Sequence, residues 1–152
     1  MIGGSVARRY ARALLAIGEE ERKTRRILFE VEEFEKLLRA TPALREMLEA
    51  AHVNRRDKEA ALEAAIARAG YLPATRNFLL LLVDKGRIEI LPQILAELRR
   101  LIEEAEGIRR VEVVVPLPLS GSQRDLLKVV LERQTGKRVE LEEKVEPEVL
   151  EP

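Results

Sequence analysis

Of the side chains that most often carry acid–base, nucleophilic or metal chemistry, this 152-residue chain has, besides its glutamates, one histidine, three aspartates and no cysteine. A histidine can serve as a general base or a metal ligand, but a metal site draws several such ligands together. His52 lies between Ala51 and Val53 in a connecting segment, with no second His or any Cys to join it. It is expected to be a packing or surface residue. Asp57, Asp84 and Asp125 are scattered, and the glutamates come in runs, such as Glu19, Glu20 and Glu21 or Glu103 and Glu104. Those positions are expected to face solvent beside Arg and Lys, which does not make a catalytic carboxylate pair. Gly121 and Gly136-Lys137 could mimic phosphate loops, yet neither GxxxxGK[ST] nor GxGxxG occurs. No catalytic residue, metal or cofactor is expected.

What remains is surface and packing. Residues 76–94 read RNFLLLLVDKGRIEILPQI, with six apolar residues in a row from Phe78 to Val83 in a chain that is 36% charged. Crossing a bilayer takes about 20 apolar residues, so this block must be covered by protein, either by its own core or by a partner.

The elements around the block follow from composition and periodicity. The chain is 46% apolar, with three Phe, two Tyr and no Trp, so its core must be aliphatic and alanine-rich, which favours packed helices. Lys plus Arg and Asp plus Glu each number 27, so no overall field recruits nucleic acid or anionic lipid. Charge is uneven locally, with seven basic and three acidic residues in 1–26 and six Glu against one Lys from Val139 onward. Absence of Cys is compatible with a reducing compartment. The opening MIGGSVARRYARALLAIG lacks the ordered sections of a signal peptide and is expected to be mature structure.

Six helices are expected in residues 1–106. The first has Val6, Tyr10, Ala13, Leu14 and Ile17 on one face, Ser5 as its cap and Gly18 as its stop. The second carries Ile27, Val31, Phe34 and Leu38 up to Thr41-Pro42, which restarts a short third with Leu44, Met47 and Leu48. Asn54 caps a fourth, with Leu62, Ile66 and Ala69 facing inward before Gly70. Pro73 opens the fifth, which holds the apolar block and ends at Gly86; the sixth spaces Leu91, Ile94, Leu95, Leu98, Leu101, Ile102 and Ala105 before Gly107.

Beyond Gly107 the period changes from 3.6 to 2. Val111, Val113 and Val115 read as a strand, and Ser120 with Gln123 forms a capping box. Leu126, Leu127, Val130 and Leu131 mark an amphipathic helix that stops at Gly136, and Val139, Leu141 and Val145 form a second strand. A right-handed crossover would set the two strands parallel. The predicted architecture is mainly α: an N-terminal six-helix bundle, residues 1–106, then a small α+β, strand-helix-strand domain, residues 107–152, too small for a substantial core of its own.

SVARRYARALL, RNFLLLLVDKGRIEILPQI and VEVVVPLPLS resemble, in order and spacing, the delta subunit of the bacterial F-type ATP synthase, homologue of the mitochondrial oligomycin-sensitivity-conferring protein. The resemblance covers nearly the whole chain. It implies a non-catalytic stator subunit that joins the catalytic F1 head to the peripheral stalk at the cytoplasmic face of the bacterial membrane, without inserting into it. It implies that a groove between the first and fifth helices accepts the N-terminal helix of an alpha subunit. That groove would draw on Val6, Arg9, Tyr10, Ala13 and Leu14 from residues 5–17 and on Asn77, Phe78, Leu79, Leu82 and Val83 from residues 74–85. The C-terminal domain would contact the stalk's b subunits. There the sequence departs from the family, which continues past an acidic-Pro pair into Gly-Gly, a hairpin and a last helix, whereas Glu146-Pro147 is followed only by EVLEP. The C-terminal domain is therefore expected to be incomplete. Two other readings compete. ARRYARALLA also resembles the opening helix of RNA-binding antitermination factors, with Arg8, Arg9 and Arg12 as phosphate contacts, which the balanced charge and the strand-helix-strand tail disfavour. A helical scaffold without nucleotide chemistry is the third.

Overall fold

The computed structural model describes residues 2–150, in a mainly helical chain with a small two-stranded sheet near its C-terminal end. Two compact units divide it, Met1–Leu101 and Ile102–Pro152.

The first unit is built on α1 (Ile2–Glu21), α2 (Thr24–Ala40), α3 (Pro42–Glu49), α4 (Arg55–Ile66), α5 (Pro73–Asp84) and the start of α6 (Leu91–Glu106). Helices adjacent in sequence pack on one another from α1 through α5, and α2 also packs on α5. Phe34, Leu62, Leu79, Leu82 and Ile94 are fully enclosed. Each such side chain contributes about 1.5–3 kcal/mol of transfer free energy, which is how a chain with few aromatics sustains a core. Ion pairs fasten α6 from outside, Arg99 to Glu32 on α2 at 3.3 Å and Arg8 on α1 to Glu97 at 3.9 Å. Arg100, through its hydrogen bond, holds the Glu97 carboxyl below the usual carboxylate range, with the Arg8 and Arg12 charges adding to the effect.

Local signals set most of the helix ends. Asn54 accepts the Asp57 amide at 2.8 Å as the α4 cap, and Pro42 and Pro73 stand in the first turns of α3 and α5. Gly86 follows α5 with φ +67°, a left-handed backbone that only glycine takes without cost.

Several ends differ from expectation. Ser5 lies inside α1 rather than capping it, and α4 stops at Ile66, leaving Ala69 exposed. Gly18 is not a stop either: α1 continues to Glu21, and a Cβ on Gly18 would sit 2.9 Å from Thr24 Oγ1 and 3.0 Å from Thr24 Cα. Gly18 is there so that α2 can start against α1. The helix ends instead at Arg22, with φ +56°, where the Lys23 amide donates to Gly18 O at 2.8 Å and the Arg22 amide to Glu19 O at 3.2 Å. This pair of bonds is a Schellman closure carried by a residue with a side chain. Arg22→Gly removes the left-handed strain and is expected to stabilise the chain by up to ~1 kcal/mol, read as a higher urea midpoint.

The second unit pairs β1 (Ile108–Val115) with β2 (Arg138–Val145) in parallel, Ile108 opposite Arg138 and Val115 opposite Val145, joined by α7 (Gly121–Thr135). Ser120 and Gln123 form the capping box of α7, and Gly136, at φ +70°, ends it. The Glu143 carboxylate ties α7 and its approach to β2, accepting the Leu119 amide at 2.6 Å and Arg124 at 3.0 Å. Val139 is the buried apolar side chain among the described residues of the sheet and α7. On α7, Leu127 and Leu131 are half-buried, but Leu126 and Val130, expected on the inner face, are exposed.

Candidate functional site

A groove of about 450 Å³ runs between α1 and α5. It exists because α1 carries two apolar stripes. The stripe that enters the core is Ala7, Ala11, Leu14 and Gly18, mostly small residues that let neighbouring backbone come close. A second stripe one residue over, Tyr10, Ala13 and Ile17, is left on the outside with Ile17 39% exposed. Helix α5 behaves alike. Thr75, Phe78, Leu79, Leu82 and Val83 point inward, while Ala74, Asn77 and Leu81 form the groove wall, Leu81 being 42% exposed. The apolar block is therefore core on one side and surface on the other.

Tyr10 and Phe78 meet edge to face across the two helices, ring centroids 6.4 Å apart at 74°, and with Leu14 they make the groove floor. Glu20 and Glu21 line one end.

Of the ten residues named from the sequence, the groove brings together Tyr10, Ala13, Leu14, Asn77 and Phe78. Leu79, Leu82 and Val83 lie within the core, and half-buried Val6 and exposed Arg9 do not line the groove. Sequence reasoning did not assign Ile17, Leu81, Ala74 and the two glutamates to the groove. Ile17 and Leu81 could have been found as apolar residues three or four positions from Ala13, Leu14, Asn77 and Phe78.

The entry of α5 is held by Glu30 of α2, a carboxylate 5% exposed. Its Oε1 accepts the Thr75 hydroxyl at 2.6 Å and the Leu72 amide at 3.0 Å, and its Oε2 accepts Arg26 Nε at 3.2 Å. Beside it the Tyr71 hydroxyl donates to Glu33 at 3.1 Å. Burial, then the Glu33 charge, pushes that phenol well above its ordinary range, so it remains a donor. Arg55, at the head of α4, reaches Asp84 at the tail of α5 at 2.6 Å. The groove wall is thus fixed at both ends.

His52 is exposed in a turn, and no group of three or more His, Cys, Asp or Glu converges as a metal set among the described residues. Among the same residues no helix is long and apolar enough to cross a membrane.

Residues 6–151 match the family model described as ATP synthase delta (OSCP) subunit. The chain belongs to that family. Similar relatives named ATP synthase subunit delta include those of Solidesulfovibrio magneticus, 33% identical, and Oleidesulfovibrio alaskensis, 36% identical, each aligned over 152 residues. The relative from Geobacter metallireducens is 33% identical over 150 residues. Each alignment covers 99% of this chain and 83% of the relative. The delta family match spans both compact units, and with them both the groove and the two-stranded sheet.

Proposed function

We propose that this chain is a non-catalytic stator subunit of the F-type ATP synthase, joining the F1 head to the peripheral stalk so that the head resists rotation. In this reading residues 1–106 act as a six-helix bundle that holds the N-terminal helix of an alpha subunit. Residues 107–152 face the b subunits of the stalk. The protein then works at the cytoplasmic face of the membrane, attached through the complex.

The observation that carries the reading is the α1–α5 groove in a chain of this family, with apolar side chains left on its walls above a closed floor. An amphipathic helix can set residues spaced i, i+3 or i+4 and i+7 into such a groove and cover Ile17 and Leu81. Ala13 between them keeps the wall low enough for close approach.

Isothermal titration of the folded chain with a peptide of the alpha subunit's N-terminal helix tests it. One-to-one binding is expected, weakened at least ~10-fold by Ala13→Glu, which places a charge against the apolar face of the ligand. Ala13 is exposed, so circular dichroism of the variant should be unchanged. Absence of binding to the wild-type chain overturns the reading.

A further inference from the structure

One edge of β1 is left without a neighbouring strand, and the side chains along it are self-complementary. In the parallel ladder the Arg138 amide donates to Gly107 O at 3.0 Å and the Glu146 amide to Val115 O at 2.8 Å. Hydrogen-bonding direction alternates along a strand, so the odd-numbered residues of β1 turn their backbone groups toward β2. Ile108, Arg110, Glu112 and Val114 turn theirs to the other edge, where they have no backbone partner among the described residues. The side chains of these four share the sheet face away from α7, because Glu143, which reaches Arg124 of α7, lies on the opposite face with Val113. Along that face β1 reads apolar, basic, acidic, apolar. Within its own chain Glu112 stands opposite Glu142 and has no ion-pair partner among the described residues, while Arg110 is shared by Glu103 at 2.5 Å, Glu142 at 3.7 Å and Glu140 at 3.8 Å. The outer edge of β2 is already in use: the Val139 amide donates to Glu132 of α7 at 3.4 Å.

We propose that two copies of this chain associate through β1, antiparallel about a two-fold axis at Val111, so that their sheets become one. In that register Ile108 meets Val114 of the second copy and Arg110 meets its Glu112, each contact occurring twice. The alternation of hydrogen-bonding groups allows the strands to slip only in steps of two residues. A slip in one direction sets Arg110 against Arg110, and in the other Glu112 against Glu112, and like charges directly opposite are unfavourable. Each opposed pair exchanges two main-chain hydrogen bonds, about eight in all, and these with the apolar pairs supply the affinity. Exposed ion pairs are weak, so the charges act chiefly by excluding the other registers. Charges on an edge strand ordinarily oppose pairing with any other strand; the order found here admits one arrangement, which closes on itself because both edges are then used. A pair of strands that is marginal alone gains neighbours on its open side. The association does not depend on the α1–α5 groove.

Sedimentation equilibrium of the full chain, without any partner, tests this. The average mass should rise with concentration from that of one chain toward that of two, with a dissociation constant on the order of 0.1 mM. Glu112→Arg places two cations together at both charged contacts and should weaken association roughly 5–20-fold, and Arg110→Glu should do the same with two carboxylates. An equimolar mixture of the two variants pairs opposite charges again and should recover the wild-type affinity. Glu112 is exposed, and its replacement leaves Arg110 and the three carboxylates around it in place, so circular dichroism of Glu112→Arg should be unchanged. That variant decides alone should Arg110→Glu unfold. A wild-type chain that keeps single-chain mass up to about 1 mM overturns the inference. So does a dimer that Glu112→Arg leaves unchanged within twofold, and so does a mixture of the two folded variants that fails to associate.

Discussion

Glu30→Ala is expected to lower the stability of the chain by about 2–4 kcal/mol, a large part of the ~5–15 kcal/mol that holds a domain folded. The residue sits on the inner stripe of α2, three positions after Ile27 and four before Phe34, where an apolar side chain would ordinarily stand. Its Oε1 accepts from both the Thr75 hydroxyl and the Leu72 amide, and Thr75 is fully buried. Truncation to alanine leaves the Thr75 hydroxyl without a partner in a dry environment and the half-buried Leu72 amide without its acceptor, and removes the carboxylate that holds Arg26. Glu30→Gln separates acceptor from charge. The Leu72 and Thr75 donors use one oxygen, which glutamine retains, while its amide nitrogen would face Arg26. The glutamine variant should therefore lose only about 1 kcal/mol. Urea denaturation of both variants decides the matter, and equal losses would mean that charge rather than the accepting oxygen holds α5 in place.

The largest loss is expected from Phe34→Ala, about 3–5 kcal/mol, because the ring is completely enclosed and its removal leaves a cavity that helices on several sides cannot all close. Phe29, five residues earlier on the same helix, is 64% exposed, and Phe29→Ala should change stability by no more than ~0.5 kcal/mol. The contrast tests the rotation of α2 about its own axis. Comparable urea midpoints for the two variants would show that the helix presents a different face to the core than the structure gives it.

Much of the fold was legible because it is written locally. Asn54 with Asp57, the Ser120–Gln123 box, and glycines 86 and 136 each specify a helix end through a few neighbouring groups, and each stands where the pattern put it. The change of period after Gly107 likewise foretold the two strands and, through the intervening helix, their parallel pairing. Which face of α1 is buried was not legible. The stripes Val6-Tyr10-Ala13-Leu14-Ile17 and Ala7-Ala11-Leu14-Gly18 both follow the helical period and share Leu14, and hydrophobicity favours the first. The structure buries the second because close approach, as of Thr24 to Gly18, depends on small size, which apolar patterning does not register. The same gap hid the groove. With the larger side chains assigned inward, nothing in the pattern separated Leu81 from its neighbours Leu79 and Leu82. Glu30 carried a readable signal, a carboxylate inside an apolar stripe, but its partners Leu72 and Thr75 lie more than forty residues away in sequence and only folding brings them together.

The parallel pairing of the sheet also sets an order of events during synthesis. Helices α1 to α5 meet partners adjacent in the chain and can assemble as each emerges from the ribosome. Strand β1 cannot, because its residues pair with others made 30 positions later, Ile108 with Arg138. At ~5–20 residues per second the strand waits roughly 1.5–6 s with its hydrogen-bonding edges open and three consecutive valines, Val113, Val114 and Val115, in view. Such a segment is the kind that joins another nascent chain on a crowded polysome. Arg109, Arg110 and Glu112 precede the valines, and Pro116 and Pro118 follow them. Charges before and prolines after act as gatekeepers against strand-to-strand association, so the charged residues within β1 and the prolines that end it in the finished molecule also protect it while it is still alone.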